Sequence, residues 1–253
     1  QKVWKVPIYA GLTCPNRDGT KGTGGCVYCK PSTLVWGSYK EGMGVTEQID
    51  SGIKAASKKV KAEKFIAHFQ ANTNTYARLD YLEGLYREAV RHPLVAGLSV
   101  STRPDCVGDG VLDLLAAIKK ETGFLRLELG LQSSKDSTLE LVKRGHTAAD
   151  FADAVERALR RGIDVVAHVI FGLPGEDISD MVATVEFISS LPVRGVKFHQ
   201  LDVVRNTPLE EMYKQGLVKL LSLEEYVRAV VESIEVLRPD MVVCRLSGDT
   251  PKE

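Results

Sequence analysis

The amino-acid sequence predicts an α/β protein built as a full or partial (β/α) TIM-like barrel of parallel strands. Short runs rich in β-branched residues alternate along the chain with longer amphipathic segments. Repeated β-α steps in one direction produce a parallel sheet with right-handed crossovers. Several predicted strands also alternate polar with apolar residues, which suits the polar interior of a barrel better than an open sheet buried on both faces.

The predicted elements follow one another in a regular order. The strands are expected at residues 5–10, 64–70, 95–101, 124–132, 164–171, 195–202 and 241–246. Between them, helices are expected at residues 46–60, 79–90, 110–121, 148–161, 178–190 and 223–237. Apolar residues recur at intervals of three and four within these helices. We expect a single domain over residues 1–253, which is an ordinary length for such a barrel.

Composition limits the classes of protein to consider. Hydrophobic residues make up 44% of the chain and charged residues 26%, so a large core can form and disorder is not expected. The 33 basic residues balance 33 acidic ones, so no global field attracts nucleic acid or a membrane. No apolar run approaches the ~20 residues of a membrane span. Five cysteines without an export signal indicate a reduced, cytoplasmic protein with a metal site.

A glycine-rich loop after the first predicted strand carries three cysteines. It reads TCPNRDGTKGTGGCVYC from residue 13, and we expect it to extend over residues 13–36. Barrel enzymes place their active sites at the carboxyl ends of strands, where Cys14, Cys26 and Cys29 would lie. The three thiolates could hold a structural zinc, with a fourth ligand from Cys106, Cys244 or a histidine. They could instead hold an iron–sulfur cubane with one iron left open.

The spacing Cys-x11-Cys-x2-Cys, with an aromatic residue before the last cysteine, resembles the cluster loop of radical S-adenosylmethionine enzymes. The long gap and the fragment CPNRDGT are similar to the YhcC-like and YtqA-like family, near the Elongator catalytic subunit. This resemblance implies a [4Fe-4S] cluster on Cys14, Cys26 and Cys29, with S-adenosylmethionine on the open iron. One electron from flavodoxin or ferredoxin would then cleave the cofactor to a 5′-deoxyadenosyl radical. The resemblance disfavours zinc, and since relatives continue further and Gln1 is not Met, trimmed termini are expected.

The resemblance also implies which residues bind the cofactor. Gln70, Ala71 and Asn72 stand where related enzymes carry glycines, so this turn departs from the usual pattern. The expected cofactor-binding residues are Tyr28, Gln70, Asn72, Thr73, Ser101, Glu128, Gln132, Arg144, His168 and Gln200. Other interpretations remain open: Asn74 and Thr75 as helix caps, Arg144 as a solvated charge, His168 as a core histidine, and Cys106 as a small apolar residue or a catalytic thiol.

The fourth and sixth predicted strands carry charge into the barrel. Two-residue periodicity places Glu128, Gly130 and Gln132 on one face, with the glycine clearing space between an acid and an amide. A buried glutamate is costly unless it is paired or bound to a ligand. Lys197 and His199 should face the same interior, where they would neutralise a bound anion or pair with Glu128.

The substrate rests on similarity to enzymes that modify tRNA, so a tRNA uridine is the leading expectation. Radical chemistry on a small metabolite and an iron–sulfur sensing module without turnover are the alternatives. Only Cys106 and Cys244 remain outside the cluster loop, too few for a second four-thiolate cluster, so sulfur insertion is not expected. Two groups of basic residues would contact RNA phosphates or form solvated faces: Lys54, Lys58, Lys59, Lys61 and Lys64, and Arg157, Arg160 and Arg161.

Overall fold

The computed structural model describes residues 2–30, 39 and 41–248. Seven parallel strands pair in chain order and form a curled half-barrel that begins at β1 and ends at β7. This confirms the barrel prediction in its partial form. The strands are β1 Val3–Ile8, β2 Lys64–Phe69, β3 Val95–Thr102, β4 Leu125–Gln132, β5 Asp164–Phe171, β6 Gly195–Gln200 and β7 Val242–Arg245.

Helices connect successive strands, and the predicted ones are present within a few residues. They are α1 Val45–Ser57, α2 Leu79–Arg91, α3 Asp109–Thr122, α4 Asp136–Leu141, α5 Ala148–Arg160, α6 Ile178–Ser190, α7 Pro208–Lys214 and α8 Leu223–Glu235. Sequence reasoning missed α4, α7 and the 3₁₀ turn Pro104–Cys106, because six- and seven-residue helices show little periodicity. Of the described helices, none is long and apolar enough to cross a membrane.

The core lies between the sheet and its helices. In β4, Leu125, Leu127, Leu129 and Leu131 are fully buried against that core. The alternate side chains face the concave interior of the half-barrel, which we call the lumen. In β6, Val196 and Phe198 are buried in the same core, and Lys197 and His199 face the lumen as predicted.

All strands are parallel, so their carboxyl ends form one edge, which we call the mouth. The cysteine loop follows β1 at this edge. In contrast, Lys58, Lys59 and Lys61 lie between the end of α1 and the start of β2, at the amino ends of the strands. β2 has six residues, which separates the two edges by about 20 Å at 3.3 Å per residue. These lysines therefore lie far from the mouth, where a base would enter, which favours the solvated-face interpretation over contacts with the phosphates of such an RNA.

Two of the three basic residues at the end of α5 form ion pairs with acidic neighbours. The Nε atoms of Arg157 and Arg161 lie 2.7 Å and 2.6 Å from carboxylate oxygens of Asp153 and Asp113. Because these ion pairs occupy the guanidinium groups, α5 matches the solvated-face interpretation better than an RNA-binding one.

Candidate iron–sulfur site and barrel lumen

The cysteine loop folds back on itself between its first and second cysteines. The Arg17 amide donates to the Cys14 carbonyl at 2.8 Å, and the Gly25 amide donates to the Asn16 carbonyl at 2.8 Å. Gly25 has φ +87°, a backbone conformation that glycine adopts without a steric penalty. Cys26 therefore lies beside the turn that contains Cys14, despite the long gap between them in sequence.

The Cys26 sulfur receives two hydrogen bonds from buried side chains. Asn16 Nδ2 donates to Cys26 Sγ at 3.6 Å, and Arg144 Nη1 donates to it at 3.7 Å. Burial alone would raise the pKa of Cys26, but Arg144, Arg103 and Asn16 outweigh burial and hold this pKa below its usual range. The site thus favours the thiolate, which is the form that binds iron.

The other half of the loop holds Cys29, whose pKa shifts in the opposite direction. The Cys29 amide donates to the Cys26 carbonyl at 2.9 Å, and Arg17 Nη2 donates to the Cys29 carbonyl at 3.0 Å. Burial and the neighbouring Cys26 raise the pKa of Cys29, and Arg17 opposes this shift. Burial likewise raises the pKa of Tyr28 well above its usual range.

Three buried polar atoms near the cysteines lack hydrogen-bond partners among the described residues. They are Tyr28 Oη, Arg17 Nε and Arg103 Nη1. Such orphaned donors are rare in proteins and indicate a missing polar or anionic group. Within the described ranges, no three His, Cys, Asp or Glu side chains converge on a single metal ion. Thiolates of a cubane each bind a different iron and need not converge in that way. The donor set therefore fits an iron–sulfur cluster with a polar cofactor beside it.

Arg144 is enclosed in this site and is not a solvated helix-end charge. Its Nη2 donates to the Gly130 carbonyl at 2.8 Å, and its Nε donates to His146 Nε2 at 2.8 Å. His146 Nδ1 in turn donates to the Thr147 carbonyl at 3.2 Å. Burial, together with the positive charges of Arg144 and Arg103, lowers the pKa of His146 to about 3, so the ring stays neutral and can accept from Arg144.

Two glycines make room for this arrangement. A Cβ atom at Gly130 would lie 2.6 Å from Arg144 Nη2 and 2.7 Å from Gln132 Nε2. A Cβ atom at Gly145 would lie 2.6 Å from Asn16 Oδ1. Gly130 therefore clears space beside Gln132, as the sequence predicts. The β4–β5 ladder shifts between these two residues, and Gln132 has φ +77°.

The turn after β2 is tied to the cysteine loop. Asn72 Nδ2 donates to the Leu12 carbonyl at 2.8 Å, and the Thr73 amide donates to the Thr13 carbonyl at 3.3 Å. The Gln70 amide donates to the Ile8 carbonyl at 3.1 Å. Three predicted cofactor-binding residues thus lie next to the loop that carries Cys14.

Asn74 and Thr75 do not cap the next helix. Asn74 Nδ2 donates to the Ser101 carbonyl at 3.0 Å, and Thr75 Oγ1 donates to the Cys106 carbonyl at 2.7 Å. Because α2 begins later, at Leu79 after Arg78, both side chains instead join β2 to β3 and the 3₁₀ turn. The capping interpretation is therefore wrong for both residues.

Glu128 occupies the centre of the lumen, where side chains from five other strands meet it, among them His68 of β2 with its Nε2 4.0 Å from Oε2. Lys5 Nζ and Ser99 Oγ donate to Oε1 at 2.5 Å and 2.7 Å. His168 Nε2 and Ser101 Oγ donate to Oε2 at 2.9 Å and 3.5 Å, and Lys197 Nζ also pairs with Oε2. We call Lys5, Ser99, Glu128, His168 and Lys197 the lumen cluster.

The lumen cluster keeps its carboxylate ionised. Burial would raise the pKa of Glu128, but His168, His68 and Lys197 lower it well below its usual range. The pairing of Lys197 with Glu128 is one of the two arrangements that the sequence predicts. The Glu128 side chain has no exposed surface in the described structure, because protein donors surround it.

Gln200 and Cys106 differ in their availability to a ligand. Gln200 Nε2 donates to the Gly248 carbonyl at 2.8 Å, and the Gly248 amide donates back to Gln200 Oε1 at 2.8 Å. Burial, with the neighbouring Asp105, raises the pKa of Cys106 to about 12, so this thiol stays protonated and is a poor nucleophile. Residues 31–36 of the expected cluster loop lie outside the described residues.

A half-barrel of parallel strands with this thiolate loop at its mouth defines a radical S-adenosylmethionine enzyme. The family model of the radical SAM superfamily matches residues 16–188, and that of the Radical SAM C-terminal domain matches residues 193–253. The chain belongs to this superfamily, whose enzymes use a [4Fe-4S] cluster and S-adenosylmethionine and need a reductant. The zinc and sensing interpretations are thereby set aside.

Within the superfamily, the chain belongs with the YtqA and YhcC proteins. It is 36% identical to YtqA of Bacillus subtilis over 252 residues, covering 100% of this chain and 78% of that protein. It is also 36% identical to YhcC of Escherichia coli over 248 residues, covering 98% of this chain and 79% of that protein. Both relatives share nearly the whole chain, so the family resemblance is confirmed.

Two more distant relatives carry names that mention tRNA or Elongator. The chain is 29% identical to a tRNA uridine(34) acetyltransferase of Methanocaldococcus jannaschii over 167 residues, 65% of this chain and 30% of that protein. The solved structure of Methanocaldococcus infernus Elp3 superposes with a TM-score of 0.67 at 21% identity. That match covers 100% of this chain but 57% of the Elp3 chain, so it supports the fold alone.

Sequence reasoning missed several residues that organise the site. Asn16 and Arg103 contact or influence Cys26, and Lys5 pairs with Glu128. A signal was available for Lys5, the charged member of an otherwise apolar strand. Asn16 stands two residues after the first cysteine, but nothing in its position reveals that it reaches a sulfur twelve residues after Cys14.

Proposed function

We propose that this enzyme cleaves S-adenosylmethionine reductively and uses the resulting radical to modify a tRNA uridine. The proposal of reductive cleavage rests on the two buried side chains, Asn16 and Arg144, that donate hydrogen bonds to the sulfur of Cys26. The tRNA substrate is supported by the similarity to a tRNA uridine(34) acetyltransferase. When bound, the cluster and its cofactor supply a 5′-deoxyadenosyl radical that abstracts hydrogen.

The residues of this chain divide into three roles. Cys14, Cys26 and Cys29 hold the cluster, and Arg144 supports it through Cys26. The residues that lie around the loop bind S-adenosylmethionine: Tyr28, Gln70, Asn72, Thr73, Ser101 and Gln132. Glu128 and His168 organise the lumen, and Gln200 fixes the end of β6 next to Gly248. No catalytic role is proposed for the protonated thiol of Cys106.

Two exposed cations lie at the mouth and are better candidates for phosphate contacts than Lys58, Lys59 and Lys61, which lie at the opposite edge of the sheet. Lys143 lies just after α4, has φ +55°, and its carbonyl accepts from Asn16 Nδ2 at 2.8 Å, which places it beside the cysteine loop. Arg205 follows β6 and is also exposed. Enzymes that act on a base extrude it from the stack into a pocket, which leaves the phosphates outside. Cations at the rim of the lumen suit that geometry.

Membership of the superfamily also bears on the electron donor, the domain organisation and the cellular location. We propose that flavodoxin or ferredoxin supplies the electron, and that residues 1–253 act as one domain in the cytoplasm. One sheet runs through both regions matched by family models, because β5 and β6 pair directly.

The tRNA proposal is tested by comparing modified nucleosides of bulk tRNA from a strain that lacks the gene and from its parent. Loss of one modified uridine, restored by the native gene and not by a Cys26→Ala gene, supports the proposal. An unchanged nucleoside profile contradicts it and favours a small-metabolite substrate.

Binding of tRNA gives a second test with a matched charge control. The double variant Lys143→Glu and Arg205→Glu should bind tRNA more weakly and with a smaller salt dependence, since two phosphate contacts are lost. The triple variant Lys58→Glu, Lys59→Glu and Lys61→Glu makes a larger change in charge at the opposite edge and should bind almost normally. Weaker binding of the triple variant than of the double variant would contradict this orientation.

A further inference from the structure

The lumen cluster contains more positive than negative charge. In the described part of the chain, the ammonium groups of Lys5 and Lys197 form ion pairs with one carboxylate, that of Glu128. The side chain of Lys197 is 9% exposed and that of Lys5 is 35% exposed. Two cations thus share one carboxylate, and Lys197, which is nearly buried, has little access to water as a second partner; a buried charge without enough partners is costly.

The same region has more hydrogen-bond donors than acceptors. The two oxygens of Glu128 already accept from five side chains, which fills their capacity. An ammonium group carries three donors, and Lys197 spends one of them on Glu128. The remaining donors need an acceptor that the lumen cluster does not contain.

His199 extends this donor surface toward the mouth. It lies two residues after Lys197 in β6, on the same face and one step nearer the carboxyl end. Its ring stacks on that of His168, with centroids 5.6 Å apart and planes inclined by 28°. His199 Nε2 is buried and has no hydrogen-bond partner among the described residues.

We propose that the lumen binds an oxyanion, a carboxylate or a phosphate, between the side chains of Lys197 and His199. An oxyanion balances the excess cation, accepts the unused protons of Lys197 and gives His199 Nε2 a partner. This goes beyond the proposed function, because it concerns a small ligand and holds whichever substrate meets the radical.

The depth of the site in the lumen limits which molecules could supply the oxyanion. A nucleotide that enters the lumen base first leaves its phosphate at the mouth, outside the layer of the lumen cluster. An oxyanion held against Lys197 is therefore not that phosphate, and it belongs to a small molecule that enters the lumen itself, with either a carboxylate or a phosphate group. Burial, Lys5 and Arg245 lower the pKa of Lys197 to about 8 against the opposing effect of Glu128, which agrees with an excess of cations.

Calorimetric titration of the reconstituted full-length enzyme with sodium acetate and with sodium phosphate tests this site, at constant ionic strength and with chloride as the reference. We expect saturable binding of at least one anion. The His199→Phe variant, which keeps an aromatic ring but removes both ring nitrogens, should bind about tenfold more weakly, the effect of losing one hydrogen bond. Lys197→Met should abolish binding, and Lys58→Met, at the opposite edge, should not change it.

Each outcome of the titration has a definite meaning. Binding of acetate alone identifies a carboxylate site, binding of phosphate alone identifies a phosphate site, and binding of both identifies a general oxyanion site. If Lys197→Met does not fold, His199→Phe still decides the question, because His199 Nε2 makes no hydrogen bond that folding requires. The proposal is overturned if neither anion binds more tightly than chloride, or if His199→Phe binds as tightly as the native enzyme.

Discussion

Replacing Arg144 separates two roles that a buried arginine could have at this site. The resemblance to related enzymes implies that it pairs with the carboxylate of S-adenosylmethionine. The structure instead directs its guanidinium to Cys26 Sγ, the Gly130 carbonyl and His146 Nε2. We therefore expect Arg144→Ala to change the cluster itself, even though Arg144 lies far from the cysteines in sequence.

Coulomb's law gives the expected change in the midpoint potential of the cluster. A unit charge 3.7 Å from the sulfur interacts by about 4.5 kcal/mol at an effective dielectric constant of about 20. That energy corresponds to about 190 mV for one electron localised at this sulfur, and about 50 mV if four irons share the electron equally. Loss of the positive charge disfavours reduction, so the midpoint potential of Arg144→Ala should fall by about 50–190 mV.

A reductive titration of the reconstituted enzyme, followed by electron paramagnetic resonance, measures this shift. Arg144→Lys should keep most of the potential because it keeps the charge, but it should lose iron faster because it cannot make the forked contacts. Arg228→Ala, an exposed arginine of α8, serves as the control. An unchanged potential in Arg144→Ala, together with S-adenosylmethionine affinity reduced more than about tenfold, would refute the cluster role and restore the cofactor role.

Three further predictions concern stability. Glu128→Gln should cost about 3–5 kcal/mol in urea unfolding because it leaves two lysines without their carboxylate, whereas Glu232→Gln on the surface should cost less than about 1 kcal/mol. Gly130→Ala should cost about 1–3 kcal/mol and lower the iron content by displacing Arg144, whereas Gly84→Ala, within α2 and with open space around it, should do neither. Burial raises the pKa of Glu176 from 4.5 to about 7, although hydrogen bonds from Ser133 and Thr138 lower it. The folded protein therefore favours the protonated side chain, and the stability gained from this is fully present below pH 4.5 and is lost as the pH rises through 7. Glu176→Gln should remove that decline, and urea unfolding between pH 5 and 8 measures it; an equal decline in both proteins would contradict the assignment.

Much of the fold could be predicted because its signal is local. The strands and long helices show two-residue and three-to-four-residue periodicity, so their order and direction follow from the sequence. The short helix α7 has a local signal as well, since Thr207 caps it and Pro208 begins it. That signal lies in two residues instead of a periodic pattern, and it was missed.

The candidate site could be predicted only where its residues have a fixed spacing. Cys14, Cys26 and Cys29 belong to one loop, so their chemistry is visible in sequence. The environment of Cys26 cannot be predicted from the sequence, because Arg144 belongs to a turn more than a hundred residues later in the chain. The position of Lys58, Lys59 and Lys61 could not be predicted for a similar reason: charge density along the chain does not reveal which edge of the sheet it lies on.

The three-cysteine loop is expected to hold a [4Fe-4S] cluster at which S-adenosylmethionine is cleaved. The most direct test is anaerobic reconstitution, then reduction with dithionite in the presence of S-adenosylmethionine, with measurement of iron, sulfide and 5′-deoxyadenosine. We expect about four irons and four sulfides per chain, with 5′-deoxyadenosine and methionine formed in equal amounts. Cys14→Ala, Cys26→Ala and Cys29→Ala should abolish both the cluster and the cleavage, and Cys244→Ala should retain both. Stoichiometric zinc that iron does not replace, or a complete cluster that releases no 5′-deoxyadenosine, would contradict the account.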